Sequence, residues 1–328
     1  LNTLSFARCH RASITVVTHS GELYMSNPRD MTVISRFLIA AIFFGTIVTF
    51  FFLNISSIQI DASIVHGTTS DDHLLRIFYR LGCGYLALHT IVFWMVRNPI
   101  EGYMTPLFRA SNEVKPHNTL GIEKLVPFSS WTLIAFCFSM TFNGMLSLYY
   151  LLVGPPETWM IFLGCAMYGI AFSSAALTAV IVRHVILPDM KKQNMDMSRM
   201  FLKHEQMMHN FALVLLCLEM MLGWVYLPVE LIVFGFMYGS IYLIFAEFWA
   251  TRGGGYYVYD FIDTRPKNAP FLLLGLVMVC ALSFSIGVFA LYLRTVNVFL
   301  GSSLLILFLI FSTKFTNDQP TTGVVANE

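Results

Sequence analysis

The chain has 328 residues, of which 56% are hydrophobic and only 12% are charged, and its formal net charge is +1. So few charged side chains cannot cover the surface of a water-soluble protein of this size, so the composition excludes that class and is typical of a membrane protein. The small net charge gives no reason to expect a nucleic-acid partner. The six cysteines are isolated, without the spacing of a disulfide framework or a zinc site.

The N-terminal segment, residues 1–36, is polar and mixed and lacks the apolar core of a signal peptide. We expect it to be a cytoplasmic tail, and Met25 is a candidate for the true start. Residues 37–313 are predicted to form a transmembrane helical domain. Residues 314–328 are predicted to form a cytoplasmic C-terminal tail.

Eight apolar runs follow in chain order and predict an all-α polytopic membrane fold with about eight transmembrane helices. A transmembrane run must cover a hydrocarbon layer of ~30 Å. The eighth run is the shortest and therefore covers this layer least fully. The tryptophans lie at or near the ends of the runs, as side chains at headgroup depth do. The runs are 37–55, 77–96, 129–153, 160–187, 206–226, 229–249, 270–293 and 296–312.

The distribution of positive charge predicts the orientation of these helices. If both termini are cytoplasmic, only Arg76, Arg80 and Arg294 of the 20 lysines and arginines fall in outer segments. Cationic loops resist translocation, so this asymmetry favours cytoplasmic N- and C-termini. Membrane lipids are then the surroundings of the chain and the expected partners.

Ionisable residues within apolar runs are candidates for function, because a charge at the bilayer centre costs at least ~2.5 kcal/mol, and two of them could meet. Glu219 lies well inside the fifth run, and Arg80 lies near the outer end of the second. At ~1.5 Å per residue, an arginine side chain can bridge their difference in depth. Glu219 is therefore either the partner of Arg80 in a structural ion pair or a residue that faces a substrate. Arg80 alternatively extends to the membrane interface.

Ser129 and His209 begin the third and fifth predicted helices, on the cytoplasmic side in both cases. A hydroxyl and an imidazole within ~3 Å of each other can serve as nucleophile and general base in acyl transfer. Two structural interpretations stay open. Ser129 or Ser130 is the N-cap of the third helix, and His209 is an interfacial histidine at the start of the fifth.

Other catalytic signatures are missing from the sequence. It contains no G-x-S-x-G elbow, and the glycine run 253–255 lacks the spacing of a phosphate-binding loop. His204 and His209 are five positions apart, which places them poorly on one helical face for a shared metal ion. We therefore expect no cofactor and no metal.

Three motifs together resemble the androgen-induced protein family of multi-pass lipid hydrolases and its relatives of the Rolling stone type. The first is FSSWTL at 128–133, similar to the start of a helix in that family. The second is the pair His209 and Glu219, ten residues apart on one helix. The third is GYYVYDFID at 255–263, similar to the family's Gly-x-Trp-Val-Tyr-Pro-Phe-Leu segment. The order and spacing of these motifs match those of the family across residues 77–293, which form a core of six predicted spans. The first and eighth spans would be additions to that core.

The resemblance implies a threonine-type hydrolase that cleaves fatty acid esters of hydroxy fatty acids within the bilayer. Carried over, Ser129 takes the position of the nucleophilic threonine and His209 that of the catalytic histidine, with Ser130 as nucleophile if the register slips by one. The sequence departs from the family at Gln206, where the family has a further histidine, and at Asp260, where it has proline. Gln206 and Glu219 are expected to be supporting polar residues.

The leading hypothesis is an intramembrane lipid esterase of the endoplasmic reticulum or plasma membrane. The alternative is a non-enzymatic multi-pass protein of the Rolling stone type that acts in cell contact or fusion. A receptor or a channel is disfavoured, because the outer loops near 154–159 and 227–229 are short and few spans carry polar residues.

Overall fold

The computed structural model describes residues 30–66 and 70–317. The predicted N-terminal tail up to residue 29 and the end of the C-terminal tail from residue 318 lie outside the described residues. Within them, six helices are long and apolar enough to cross a membrane, so the fold is that of a mostly helical, polytopic membrane protein. These six are Thr32–Phe52, Asp72–Val96, Phe128–Leu152, Thr158–Lys192, Val229–Arg252 and Ala269–Val296.

Eleven α-helices lie in the described ranges, and π-helical turns join several of them. They are α1 (Thr32–Phe52), α2 (Ser63–His66), α3 (Ser70–His89), α4 (Phe128–Leu152), α5 (Thr158–Ile181), α6 (Leu187–Lys192), α7 (Lys203–Gln206), α8 (Ala212–Leu222), α9 (Ile232–Arg252), α10 (Ala269–Val296) and α11 (Val298–Ser312). The π-helical turns are Thr90–Val96 after α3, Val182–Ile186 between α5 and α6, and Met207–Phe211 between α7 and α8.

The first helix begins earlier than its apolar run predicts. Asp30 accepts a hydrogen bond of 2.8 Å from the backbone N–H of Thr32 and so satisfies a donor that the first turn leaves free. Arg36, assigned to the tail by the prediction, lies on α1 and pairs with Glu247 at 2.5 Å. The helix thus extends into a polar turn that hydropathy alone does not include.

The two remaining predicted spans are shorter or more polar than the six. The helical segment 203–222 replaces the predicted run 206–226, and it ends where Gly223 takes a left-handed backbone with φ 77°. It carries several polar residues, which lower its hydropathy. α11 has only 15 residues, fewer than the ~20 that a span needs.

Five short strands were not predicted. β1 (Gly102–Met104) pairs with β4 (His117–Thr119), and β2 (Leu107–Phe108) lies between β3 (Glu113–Val114) and β5 (Tyr256–Tyr257), all antiparallel. The pairing of β2 with β5 brings the loop after α9 to the segment that leads into α4. This small sheet positions the residues described next.

The core lies between α4 and α5, the two candidate spans with the largest buried share. Phe136 of α4 and Phe172 of α5 are fully buried, and Leu216 of α8 and Phe284 of α10 pack into the same cluster. α1 lies at the periphery and packs on α9. Segment 203–222 is therefore held against the centre of the bundle even though it is not among the six most apolar helices.

Candidate functional site

The start of α4 carries the two candidate nucleophiles. Pro127 is the N-cap residue, with φ −61° and ψ 149°, and Ser129 and Ser130 lie in the first helical turn. The interpretation of either serine as the N-cap is therefore wrong, because Pro127 occupies that position with the extended backbone that an N-cap needs. The first backbone bond of the turn runs from Ser130 N–H to the Pro127 carbonyl at 3.1 Å. It leaves the N–H groups of Phe128 and Ser129 without an intrahelical partner.

The two serines differ in what their hydroxyls contact. The Ser130 hydroxyl donates to the Lys124 carbonyl at 2.7 Å and lies 3.6 Å from the Met208 sulfur. Ser129 is 5% exposed and faces the Tyr259 phenol. Ser130 is thus held by a bond to the backbone, whereas Ser129 faces another polar side chain.

His209 lies in the π-helical turn Met207–Phe211 and is 5% exposed. Its Nε2 is 3.4 Å from Oε2 of Glu205, four positions earlier on the same helical face. Its Nδ1 is buried and has no hydrogen-bond partner in the described part of the chain. The helix begins at Lys203 and the ring is buried, so His209 does not start the helix; its depth in the membrane stays a prediction.

Glu205 lies between two imidazoles. Its Oε1 is 3.5 Å from Nε2 of His204, and its Oε2 faces His209. The carboxylate of Glu205 is therefore within reach of both imidazole rings. Across residues 30–66 and 70–317, no group of three or more His, Cys, Asp or Glu side chains could hold a metal ion.

Tyr259 lies beside Ser129 at the start of α4 and near Glu205 of α7. Burial raises the pKa of Tyr259 to about 12, although the Ser129 hydroxyl and the backbone N–H groups at the start of α4 act in the opposite direction. The negative charge of Glu205 contributes to the increase. The phenol therefore keeps its proton at neutral pH and lies within electrostatic range of both Ser129 and Glu205.

The structure brings Ser129 and His209 to the same end of the bundle. α4 packs against the π-helical turn of His209, and the Ser130 hydroxyl at the start of α4 lies 3.6 Å from the Met208 sulfur in that turn. The Ser129 and His209 side chains are not hydrogen-bonded to each other in this structure. Sequence reasoning missed Glu205 and Tyr259. The i, i+4 spacing of Glu205 and His209 was a signal for the first, whereas only tertiary structure places the second.

An apolar groove reaches this site from the interior of the bundle. It encloses about 830 Å³, part of it open to the exterior, and lies between α5, α9 and α10. Phe128 and Tyr259 form part of its wall. The groove thus ends at the residues that adjoin the Ser129 hydroxyl.

The two expected supporting residues lie in different places. Gln206 is buried, and its Oε1 accepts a hydrogen bond of 2.8 Å from Asn210. Glu219 is ten positions beyond His209, about 15 Å along the helix, and belongs to another cluster. Gln206 thus adjoins the site through its own turn of helix, and Glu219 does not contact His209.

Glu219 forms an ion pair with Arg80 near the opposite end of the bundle. The Arg80 Nε is 2.6 Å from Glu219 Oε1, and both side chains are almost fully buried. The guanidinium also donates to the Ser147 hydroxyl and to the carbonyls of Ile64 and Trp224. The prediction of the ion pair is confirmed, and the alternative in which Arg80 extends to the interface is wrong.

Comparisons with known proteins supply no template for this site. No family model, no curated protein and no solved structure matches the chain. The resemblance to the androgen-induced protein family stays a prediction from its three motifs. The chemistry of the site is therefore argued from its own residues.

Proposed function

We propose that this protein is an intramembrane hydrolase of lipid esters, such as fatty acid esters of hydroxy fatty acids, with Ser129 as nucleophile and His209 as general base. One observation carries the proposal. The buried His209 ring faces a carboxylate with one nitrogen and leaves the other unpaired, beside the helix turn that bears Ser129. A base positioned by a third group and free to take a proton is the arrangement that activates a hydroxyl.

The reaction proceeds in two steps. Ser129 Oγ attacks the ester carbonyl while its proton passes to Nδ1 of His209, and the bond to the leaving alcohol breaks as that alcohol takes the proton. Water then attacks the acyl-serine, gives its proton to Nδ1 and releases the fatty acid, and Ser129 regains the proton. The serine and the imidazole must meet when the ester is bound, and such catalytic contacts are often long in ligand-free proteins.

Donors for the developing oxyanion surround the same point. The Tyr259 phenol, whose pKa of about 12 keeps it protonated, faces Ser129. The N–H groups of Phe128 and Ser129 have no intrahelical partner, adjoin the Tyr259 phenol and lie at the positive end of the α4 dipole. Preorganised donors of this kind commonly supply the largest share of rate acceleration in acyl transfer.

The proposal includes a topology of eight spans with both termini in the cytoplasm, in the endoplasmic reticulum or the plasma membrane. Segment 203–222 and α11 then join the six apolar helices as spans. Under this topology, Ser129 and His209 lie just inside the cytoplasmic surface. Water reaches the acyl-serine from that side, and the lipid ester enters from the bilayer.

The test is covalent labelling of the purified protein by a fluorophosphonate probe, together with turnover of a lipid ester. Ser129→Ala removes the nucleophile and is expected to abolish labelling and to lower turnover by about 10³-fold or more. His209→Ala is expected to have the same effect, since the base acts as a unit with the nucleophile.

Ser130→Ala is the matched control, because its hydroxyl is on the same turn but is bonded to Lys124. We expect this variant to be labelled like the wild type. Labelling of a folded Ser129→Ala variant at the wild-type rate would refute the assignment. Loss of labelling in Ser130→Ala alone would move the nucleophile to the next residue.

A further inference from the structure

The groove between α5, α9 and α10 has the lining of a hydrocarbon site. None of the residues that line it carries a charge. The hydroxyls of Ser173, Ser174 and Ser240 each donate a hydrogen bond of 2.8 Å to a backbone carbonyl of their own helix. Those hydroxyls therefore offer little to a polar ligand, and the wall is effectively apolar.

Polar atoms that could hold a ligand gather at one end of the groove. The Tyr242 hydroxyl is buried without a hydrogen-bond partner among the described residues, near the backbone of Phe128. The Tyr259 phenol is at the same end and faces Ser129. A ligand that fits is thus apolar along its length and carries a hydrogen-bond acceptor at the end next to Ser129.

The extent of the groove matches a long, narrow ligand. Along α5 and the π-helical turn that follows it, the groove is lined from Ser173 to Ile186, about 20 Å, and along α9 from Gly235 to Leu243, about 12 Å. Its other walls are formed by candidate membrane spans. An extended hydrocarbon chain that enters from the bilayer satisfies these dimensions.

We propose that this groove binds the acyl chain of the ester, with the carbonyl at Ser129, and that Gly239 sets the longest chain that fits. The identity of the ester rests on the proposed hydrolysis, whereas binding of the chain does not. Gly239 lies one helical turn from Gly235 and one from Leu243, about halfway along the α9 wall.

Gly239 is suited to a test because it has room beside it. A Cβ atom placed there meets no other heavy atom within 4 Å, whereas a Cβ at Gly235 would be 2.4 Å from the Ser173 hydroxyl. Gly235 therefore allows close packing of α9 on α5. A larger side chain at Gly239 instead projects into the groove without moving a helix.

Gly275 on α10 provides the matched control. A Cβ at this position also meets nothing within 4 Å, but Gly275 does not line the groove. Gly275→Phe therefore adds the same bulk to a groove-forming helix outside the proposed chain site. Both variants should unfold at temperatures close to that of the wild type.

The experiment uses the full chain in phosphatidylcholine nanodiscs, with Ser129→Ala as background so that binding is read without turnover. The probe is a hexadecanoyl ester with a diazirine at the chain end, and labelled residues are mapped by mass spectrometry. We expect labels near Ser173 and Cys280, reduced at least about tenfold by Gly239→Phe and unchanged by Gly275→Phe. In the active protein, Gly239→Phe should lower the preference for hexadecanoyl over octanoyl esters by about tenfold or more.

Two results would overturn the chain site. One is labelling of the groove by a sterol photoprobe with no competition from the hexadecanoyl ester. The other is an unchanged label and an unchanged chain preference in Gly239→Phe. Should that variant misfold, Gly239→Leu is tested in the same way. Groove labelling in a protein without esterase turnover would refute the hydrolysis and support the chain site.

Discussion

The two polar clusters of this bundle differ in how far their buried nitrogens are hydrogen-bonded. The proposed topology puts one cluster, around Arg80 and Glu219, at the outer end of the bundle and the other, around Glu205 and His209, at the inner end. In this outer cluster, Arg80 bonds Glu219 and, through its other nitrogens, Ser147 and two backbone carbonyls. In the inner cluster, His209 meets Glu205 with one nitrogen and leaves Nδ1 unpaired. A buried guanidinium whose three nitrogens are all hydrogen-bonded ties helices together, whereas a buried base with a free nitrogen is available to a ligand.

Their surroundings differ in the same sense. Tyr79 donates to the Leu215 carbonyl beside the outer cluster, and Trp224 donates to Asp72. Of the outer ion pair, only Oε2 of Glu219 lacks a hydrogen-bond partner. The inner cluster instead adjoins an apolar groove. Under the proposed function, the outer cluster serves stability and the inner cluster serves chemistry, and three substitutions test that division.

The largest effect is expected from Glu219→Ala. It leaves the Arg80 guanidinium buried without its counter-charge, and the expected loss is about 3–5 kcal/mol in the free energy of unfolding. Unfolding by heat or denaturant in detergent measures it. The double variant Arg80→Met with Glu219→Met should recover much of the loss, because no charge then stays buried. A single variant as stable as the wild type would remove the outer cluster's structural role.

Tyr259→Phe is expected to act on rate. It removes one phenolic donor beside Ser129 and should lower kcat for a lipid ester by about 10²-fold, with the melting temperature nearly unchanged. The control is Tyr103→Phe, since Tyr103 is exposed and lies in strand β1. If kcat is retained while stability falls, Tyr259 only holds the start of α4.

The smallest effect is expected from Glu205→Gln. It keeps the side-chain volume but removes the charge that faces His209 at 3.4 Å. Because this contact is partly exposed to solvent, we expect a loss of about tenfold in kcat, equivalent to ~1.4 kcal/mol. Glu113→Gln, at an exposed pair with Lys115, should leave kcat as it is. Equal rates for both variants would show that Glu205 does not position the base.

The ion pair of Arg80 with Glu219 could be anticipated, because an unpaired charge in an apolar environment is costly and a partner of opposite charge lowers that cost. Counting residues from the span ends places Arg80 and Glu219 at depths that a side chain can bridge. The same counting places Ser129 and His209 at one end, since both helices start on the same side. Depth does not fix rotation about the helix axis, and the π-helical turn at Met207–Phe211 changes that rotation locally.

The rest of the site depends on tertiary structure. Glu205 stands four positions before His209, but it directly precedes the apolar run 206–226, so hydropathy does not include it in the helix. Tyr259 lies in a loop after another helix, and its place over α4 depends on strands that are too short to show a period. The Ser130 hydroxyl donates to the Lys124 carbonyl, and this bond, which distinguishes Ser130 from Ser129, forms only in the folded chain.

The small sheet has a consequence for how the protein responds to its lipid. β5 pairs with β2, and the Tyr256 hydroxyl donates at 2.7 Å to Glu123, just before α4 begins. The loop that bears Tyr259 and the turn that bears Ser129 thus share one rigid support at the end of the bundle. Helices tilt when bilayer thickness changes, but two groups mounted on a common platform move together. Their spacing should therefore hold in thin and thick bilayers alike.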